Sequence, residues 1–543
     1  MTVVSLIVSG SAGYAIAARE CILALLAHTD FPIHVAADPT GRMLLPKSPR
    51  IHLSPLPERS QTGGAAPFME KFAALERCLA TFADETVLMI DVDAILTAPI
   101  DAAHVEAILG DHPIAMVEQE RTLGEGKDRR DFLRHYTDVT LAAISPGSRA
   151  PRLEEFRYFN SGVVFLRRDE ALQIIGWVRE IVAARPGVLS YGNRIIADQD
   201  FLQVWTNTIR PGRCRDLDWQ YNHCRLWHEG YPRKGAVIHH FSNYLRGPDP
   251  EGLAAMRALR PAFKAGQAAD ACDPPADWLT VIVVTHNSAD VLPLCLELAM
   301  SVADRCIVVD NASTDDTVAI AERAGALVVT NSAHAAFAKA ANQGVARART
   351  EAVCFLTPDC LLTAEMAAAA RMKMNEDRRQ ILVPDYRGWR GECVPGRQPG
   401  YSWRKILADL LVAGGGRKAA RLLQRHPSYH DETWHWPLAG CIFADRAVLA
   451  ELGGFDEACR PCMEDVRLGR HAAELGVPTR SLGVDAIHFG VRGGRPEPAL
   501  GNRHFVESRL HYVRDSYGRP GRAFEVAARP LMRIVSLVPA RRM

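Results

Sequence analysis

The 543-residue chain contains no apolar run of the roughly eighteen residues that a membrane-spanning helix requires. It has almost no charge imbalance either, with 64 Lys and Arg against 63 Asp and Glu. That balance argues against non-specific nucleic-acid binding by the whole chain. No basic leader precedes MTVVSLIVSGSAGY, which reads as a first strand and not as a signal peptide. The 13 cysteines lack the paired spacing of a zinc site. Cys21, Cys306, Cys354 and Cys441 sit inside apolar runs, as reduced, buried thiols of a cytoplasmic protein do. The one C-x-x-C, Cys459 to Cys462, falls in a loop beside acidic residues and reads as structural. Gly414-Gly-Gly416-Arg-Lys is not a phosphate loop, because the Gly-Lys-Ser/Thr pattern is missing. What remains is the composition of an ordinary globular protein, and the length predicts two or three domains.

The most ordered stretch begins halfway along. Val281–Thr285 is short, apolar and β-branched, which predicts a buried strand ending in His286-Asn287-Ser288. An amphipathic segment follows, and then a second apolar run, Ile307–Val309, ends at Asp310-Asn311. Polar groups at the carboxyl ends of parallel strands mark a nucleotide crevice. Ala326–Thr330 and Ala352–Leu356 continue the strand pattern, and the latter ends in Thr357-Pro358-Asp359.

The first half repeats the theme. Thr2–Ser9 and Ile33–Ala37 read as strands around a helix at Ala15–His28, and the apolar spacing predicts another helix over Phe68–Phe82. The strand Thr86–Ile90 then runs into Asp91-Val92-Asp93. Alternation on extended backbone puts Asp91 and Asp93 on one side, a pair suited to a hard cation with oxygen ligands or to a solvated turn. Downstream lie Asn160-Ser161-Gly162, Asp198-Gln199-Asp200, Tyr221-Asn222 and a strand ending in His239-His240-Phe241.

That motif order resembles glycosyltransferase family 8 over roughly residues 1–245. The resemblance implies that Asp91, Asp93 and His240 hold Mn²⁺ or Mg²⁺. It implies Asn160 and Ser161 near the donor sugar, with Asp198, Gln199 and Asp200 around sugar and acceptor. Where the family often carries a Lys-Pro-Trp clamp, this chain has Asn243 to Arg246. An Arg fork is not a Lys point charge, so a non-catalytic first half stays an open alternative.

Pro248–Pro275, rich in Ala, Pro, Gly and Asp, predicts a helix at Glu251–Leu259 and then a flexible link. This places the domains at 1–247 and 278–543, with a linker over 248–277.

In the second half the order Thr-x-Asn, Val-Val-Asp-Asn-x-Ser-x-Asp, Asn342-x-Gly344, Pro-Asp, Gly-Gly-Phe-Asp and Glu464-Asp465 resembles glycosyltransferase family 2, in its rhamnosyltransferase-like branch, over about residues 279–520. By that resemblance Asp465 is the general base, with Glu464 the runner-up. Arg467 stands where family members often have a further Asp. Asp310 would accept a hydrogen bond from the nucleotide base, Thr285, Asn287 and Asn342 would line the donor pocket, and Asp359 and His488 would contact metal or pyrophosphate. Trp436–Phe443 reads as one buried strand.

The two resemblances imply an α/β chain of two GT-A-type (Rossmann-like nucleotide-diphospho-sugar transferase) domains in tandem. The partners implied are nucleotide-diphospho-sugar donors and a glycan or lipid-linked acceptor, as in bacterial surface polysaccharide synthesis. A sugar-nucleotide pyrophosphorylase shares the layout, but Ser9 to Gly13 carries no basic residue close behind. Ile406–Arg425 and Ala528–Met543 combine apolar and basic positions. Each reads either as a peripheral membrane contact or as an amphipathic helix with a solvated basic face.

Overall fold

A computed structural model describes the chain except for residues 57–65, 120–128, 192–193, 225–233, 242–249, 261–277, 389–391, 414–416, 427–428, 459–462, 490–497 and 536–543. It divides into two compact units, Met1–Asp270 and Ala271–Met543.

The first unit is built on a seven-stranded sheet. Its strands are β1 (Thr2–Val8), β2 (Ile33–Ala37), β3 (Ile51–Pro55), β4 (Thr86–Ile90), then, past the short β5 (Ala94–Leu96), β6 (Ile114–Val117), β7 (Val163–Arg167) and β8 (Cys214–Leu217). Their order is β8-β6-β7-β4-β1-β2-β3, with β7 antiparallel to both neighbours. β2 and β4 are buried along their whole length, as expected of strands covered by helices on both faces. A small sheet joins β9 (His223–Cys224) and β10 (Ile238–His240) to β5. Helix α1 (Ala12–His28) and helix α2 (Ala66–Thr81) match the predicted helices within a few residues at each end. Helix α3 (Asp198–Val204) begins at the Asp-Gln-Asp triplet. Helix α4 (Pro250–Leu259), assigned to the linker from sequence, packs on α1, where Glu20 is fully buried against Arg257 and Arg260.

The second unit has a nine-stranded sheet. Its members are β11 (Leu279–Thr285), β12 (Arg305–Asp310), β13 (Leu327–Thr330), β14 (Ala352–Leu356), β15 (Cys360–Leu361), β16 (Ile381–Arg387), β17 (Cys393–Val394) and, after the ribbon strands β18 (Arg397–Tyr401) and β19 (His430–Pro437), β20 (Cys441–Asp445) and β21 (Thr479–His488). The order is β13-β12-β11-β14-β20-β16-β21-β15, with β17 beside β16. Here β20 is antiparallel to both neighbours. Both units therefore place four parallel strands in the order third, second, first, fourth, followed by a reversed strand. In each, an aspartate follows the fourth strand, Asp91 directly after Ile90 and Asp359 three residues after Leu356.

One expectation fails. Trp436–Phe443 is not a single strand: Pro437 ends β19 in the ribbon, and Cys441 begins β20 in the main sheet. The turn between them is closed by Tyr386, whose hydroxyl donates to Leu438 O at 2.7 Å and accepts from Cys441 N at 2.9 Å. Past α5 (Ala364–Glu376), the described residues of Ile406–Arg425 fall in α6 (Trp403–Ala413) and α7 (Arg417–Gln424), with Arg425 one residue beyond. The acidic pair Glu464-Asp465 opens α8 (Glu464–Glu474), and the chain continues into α9 (Pro498–Val535), kinked at Gly518.

Candidate active sites

In the first unit the backbone past β4 is pinned from two sides. Asp91 N donates to Gly162 O at 2.7 Å, and Phe241 N donates to Asp93 O at 2.8 Å. This brings Asp91, Asp93 and His240 together, with one ligand atom from each within 4.8 Å of the others. His240 Nε2 lies 3.3 Å from Asp93 Oδ1 and 3.7 Å from Asp91 Oδ2. Two carboxylates and an imidazole form a donor set that fits a divalent cation. The opposite ring nitrogen of His240 faces Asn222 Oδ1 at 3.0 Å, and Asn222 Nδ2 donates to Asn160 Oδ1 at 2.7 Å. Such partners fix ring orientation at metal sites. Gly162 is required beside this chain, since a Cβ there would stand 2.1 Å from His240 Cε1. Adjacent strand residues face opposite ways, so His239 points instead at His223, with ring centroids 5.6 Å apart. Burial lowers the His239 pKa to about 4. Burial also opposes charge on His240, but Asp93 and Asp91 outweigh it and raise its pKa.

Sequence reasoning missed Lys71. From α2 its ammonium reaches Asp91 Oδ1 at 2.7 Å, Asp198 Oδ2 at 2.9 Å and the Ser161 carbonyl at 3.1 Å. Burial disfavours its charge, yet Asp198 and Asp91 raise its pKa overall. The readable signal was a lysine at the i position of an apolar i, i+4, i+7 stripe completed by Leu75 and Cys78. Asp198, Ser161 and Asn160 thus join the acidic cluster through Lys71 and Asn222. The other two predicted residues are engaged elsewhere. Gln199 Nε2 donates to Gln119 Oε1 at 3.3 Å, and Asp200 accepts from Ala197 N at 3.0 Å and Thr140 Oγ1 at 2.6 Å.

In the second unit Thr285 and Asp310 are register partners, and Thr285 Oγ1 donates to Asp310 Oδ1 at 3.0 Å. Ser313 N donates to Asp310 Oδ2 at 2.9 Å. Asn287 and Ala312 both hold positive φ, 48° and 58°, where residues with a side chain are strained. The hydrogen bonds from Asn287 N to Ser313 Oγ and from Thr314 N to Asn287 Oδ1, each 2.8 Å, hold them there. Backbone strain of this sort concentrates at ligand sites.

Past β14, Asp359 Oδ1 lies 3.3 Å from His488 Nε2, and Phe489 N donates to Asp359 O at 2.9 Å. Burial works to raise the Asp359 pKa, but His488 and Thr357 hold it below the usual carboxylate value. Tyr386, a second residue missed from sequence, packs its ring 5.4 Å from that of His488. Its hydroxyl holds the backbone of Leu438 to Cys441, and Ala439 N in that turn donates to Asp465 Oδ2 at 3.2 Å. Asp465 is buried, and its other oxygen accepts from Val466 N at 2.8 Å. Burial first, and Glu464 second, push its pKa up to about 7. A carboxylate near neutrality is matched to general-base work.

Asn342 holds a turn: its side chain bonds both Phe455 O at 2.8 Å and Phe455 N at 2.9 Å. Arg467 links Asp456 at 2.5 Å and Asp515 at 2.9 Å, tying the Gly-Gly-Phe-Asp turn to α9. Arg246, Cys459, Cys462, the run 414–416 and residues 536–543 lie outside the described residues. Among the described residues no helix is long and apolar enough to cross a membrane.

Solved structures similar to parts of the chain include GalNAc-T7 with UDP, GalNAc and Mn2+. It is 14% identical at a TM-score of 0.34, covering 50% of this chain and 53% of its own. This chain thus spans about half the length of GalNAc-T7. TarS 1-349 of S. aureus in complex with UDP-GlcNAc is 17% identical at a TM-score of 0.31, over 44% of this chain and 66% of its own. The galactosyltransferase LgtC with donor and acceptor sugar analogs is 14% identical at a TM-score of 0.30, over 49% of this chain and 98% of its own. Over residues 280–417 the second unit matches the model of Glycosyl transferase family 2.

Proposed function

We propose that the chain is a tandem glycosyltransferase whose two units each move a sugar from a nucleotide-diphospho-sugar to a glycan or lipid-linked acceptor of a bacterial surface polysaccharide. The observation that carries this reading is the shared layout. In both units a strand followed within three residues by an aspartate lies between the first strand and a reversed one, with a histidine 3.3 Å from a carboxylate. Mn²⁺ or Mg²⁺ held by Asp91, Asp93 and His240, and in the second unit by Asp359 and His488, would neutralise the departing diphosphate. Asp310 accepts a hydrogen bond from the nucleotide base, with Thr285 and Asn287 shaping the loop around it. Asp465 takes the proton from the acceptor hydroxyl at a carboxylate oxygen, with inversion at the anomeric carbon. In the first unit, Asn160 and Ser161 lie towards the donor sugar, and Lys71 keeps Asp198 and Asp91 oriented. By its resemblance to family 8, that unit retains configuration.

A second reading makes the first unit a non-catalytic nucleotide- or sugar-binding module. The contact of Lys71 with Asp91 favours it, because a lysine already neutralises one carboxylate of the proposed cation site. Incubating the full chain with UDP-, dTDP- and GDP-sugars and Mn²⁺ or Mg²⁺ separates the readings. Two active units predict nucleotide release that falls in part with Asp93→Ala and in part with Asp359→Ala, and that chelation abolishes. Release untouched by Asp93→Ala, with Asp359→Ala removing all of it, would leave one working unit. No release with any donor would overturn the transferase reading.

A further inference from the structure

Helix α7 presents a surface that nucleotide-sugar chemistry does not use. Lys418, Arg421 and Leu422 stand at i, i+3 and i+4 on one face, Arg425 follows one residue past the helix end, and all four are exposed. Leu422 is 70% exposed, and three cations surround it. From Leu410 to His430 the sequence contains no Asp or Glu. Among the described residues no acidic side chain pairs with Lys418, Arg421 or Arg425. This local excess contrasts with a formal net charge of +1 for the whole chain. Charge is therefore concentrated on this face and not spread over the molecule.

The helix is held firmly to the part of the second unit that carries the proposed base. It packs against α6, and α6 packs against α9. Asp409 of α6 meets Arg509 of α9 at 3.0 Å. The base of the α6–α7 pair is closed by Ser402 Oγ, which donates to Tyr429 O at 2.5 Å. Lys405 lies between the rings of Tyr401 and Tyr429, 4.9 and 5.4 Å from their centroids. Tyr401 also packs in one apolar cluster with Met463 and Val466, which flank the Glu464-Asp465 pair.

We infer that the face formed by Lys418, Arg421 and Leu422 of α7, with Arg425 just past its end, docks on an anionic lipid surface. This docking does not rest on the glycosyltransferase reading. Cations attract acidic headgroups while a central leucine enters the boundary below them, the arrangement of interfacial helices. A nucleic acid would use the cations but not the leucine, and the balanced charge of the chain supplies no wider basic field for it.

The test uses the full chain in flotation with vesicles of phosphatidylcholine alone or mixed equally with phosphatidylglycerol. Binding is expected only to the mixed vesicles and should fall with added salt. Neutralising two cations in Arg421→Gln/Arg425→Gln should weaken it roughly thirtyfold. Leu422→Ser should also weaken it several-fold. All three positions are exposed, so thermal melts of the variants should match wild type. Nucleotide release in solution should be unchanged, which separates loss of docking from loss of the transferase reading. Equal binding to both vesicles, or binding that ignores these substitutions, would overturn the inference. So would capture of a single-stranded oligonucleotide that depends on Arg421 and Arg425 while vesicle binding ignores Leu422.

Discussion

Asp465 combines two properties that pull against each other. Its burial and the neighbouring Glu464 raise its pKa to about 7, which makes it a competent proton acceptor near neutrality. The same shift costs stability. A carboxyl whose folded pKa exceeds its unfolded value stabilises the fold below the ordinary carboxylate range. That contribution is lost as pH rises through about 7. Two outcomes follow for Asp465→Asn. Transfer by the second unit should drop about a hundred- to ten-thousand-fold while donor affinity, measured by calorimetry, stays at wild type. The melting temperature of wild type should decline relative to the variant as pH is raised through about 7, and the difference should vanish in acid. Wild-type activity should itself fall below about pH 7 as Asp465 takes up its proton. A rate profile flat through that range would assign the base elsewhere, with Glu464 the next residue to replace.

Strands and turns carry the positioning. His240 sits on β10, Asp91 and Asp93 follow β4, and Gly162 leads into β7. The three meet because the small sheet folds its last strand against the end of the large one. Gly162 is the point of closest approach, with negative φ, so the constraint there is space and not backbone conformation. Gly162→Ala should move the imidazole and lower Mn²⁺ affinity by about ten- to a hundredfold, as losses of orienting contacts at metal sites do. The control is Gly176→Ala on a nearby helix, where a Cβ meets nothing within 4 Å. It should leave Mn²⁺ titrations unchanged. Equal affinities in the Gly162 variant and wild type would show that His240 is not a ligand.

For the molecule as a whole, the two units are separately built, each with its own sheet and its own buried clusters. If each has its own reaction, inactivating one should leave the other. With a competent acceptor, mass spectrometry of products should find one linkage missing from Asp93→Ala and a different one missing from Asp465→Asn. Loss of both linkages in either variant would mean that the second transfer requires the product of the first. Both linkages at wild-type rates in Asp465→Asn would remove that residue from the mechanism.

Much of this was legible before folding. Strands buried along their whole length, Ile33–Ala37, Thr86–Ile90 and Ala352–Leu356, are read with the correct bounds, because burial on both sides demands nearly continuous apolar runs. Asp91, Asp93 and Asp359 could be placed at strand ends, and His240 could be chosen over His239, from a period of two and from motif order. Three things were not legible. Lys71 lies 127 residues from its partner Asp198, and a lysine on an apolar stripe signals burial without naming what it meets. The break at Leu438–Gly440 depends on the hydroxyl of Tyr386, which another strand supplies. The elevated pKa of Asp465 comes from burial, and burial depends on the packing of elements far apart in the chain. Local pattern decides where a chain can form strands and helices, because backbone sterics and apolar periodicity act over a few residues. Which polar groups end up facing one another, and at what pKa, follows from distances between elements that only folding brings together.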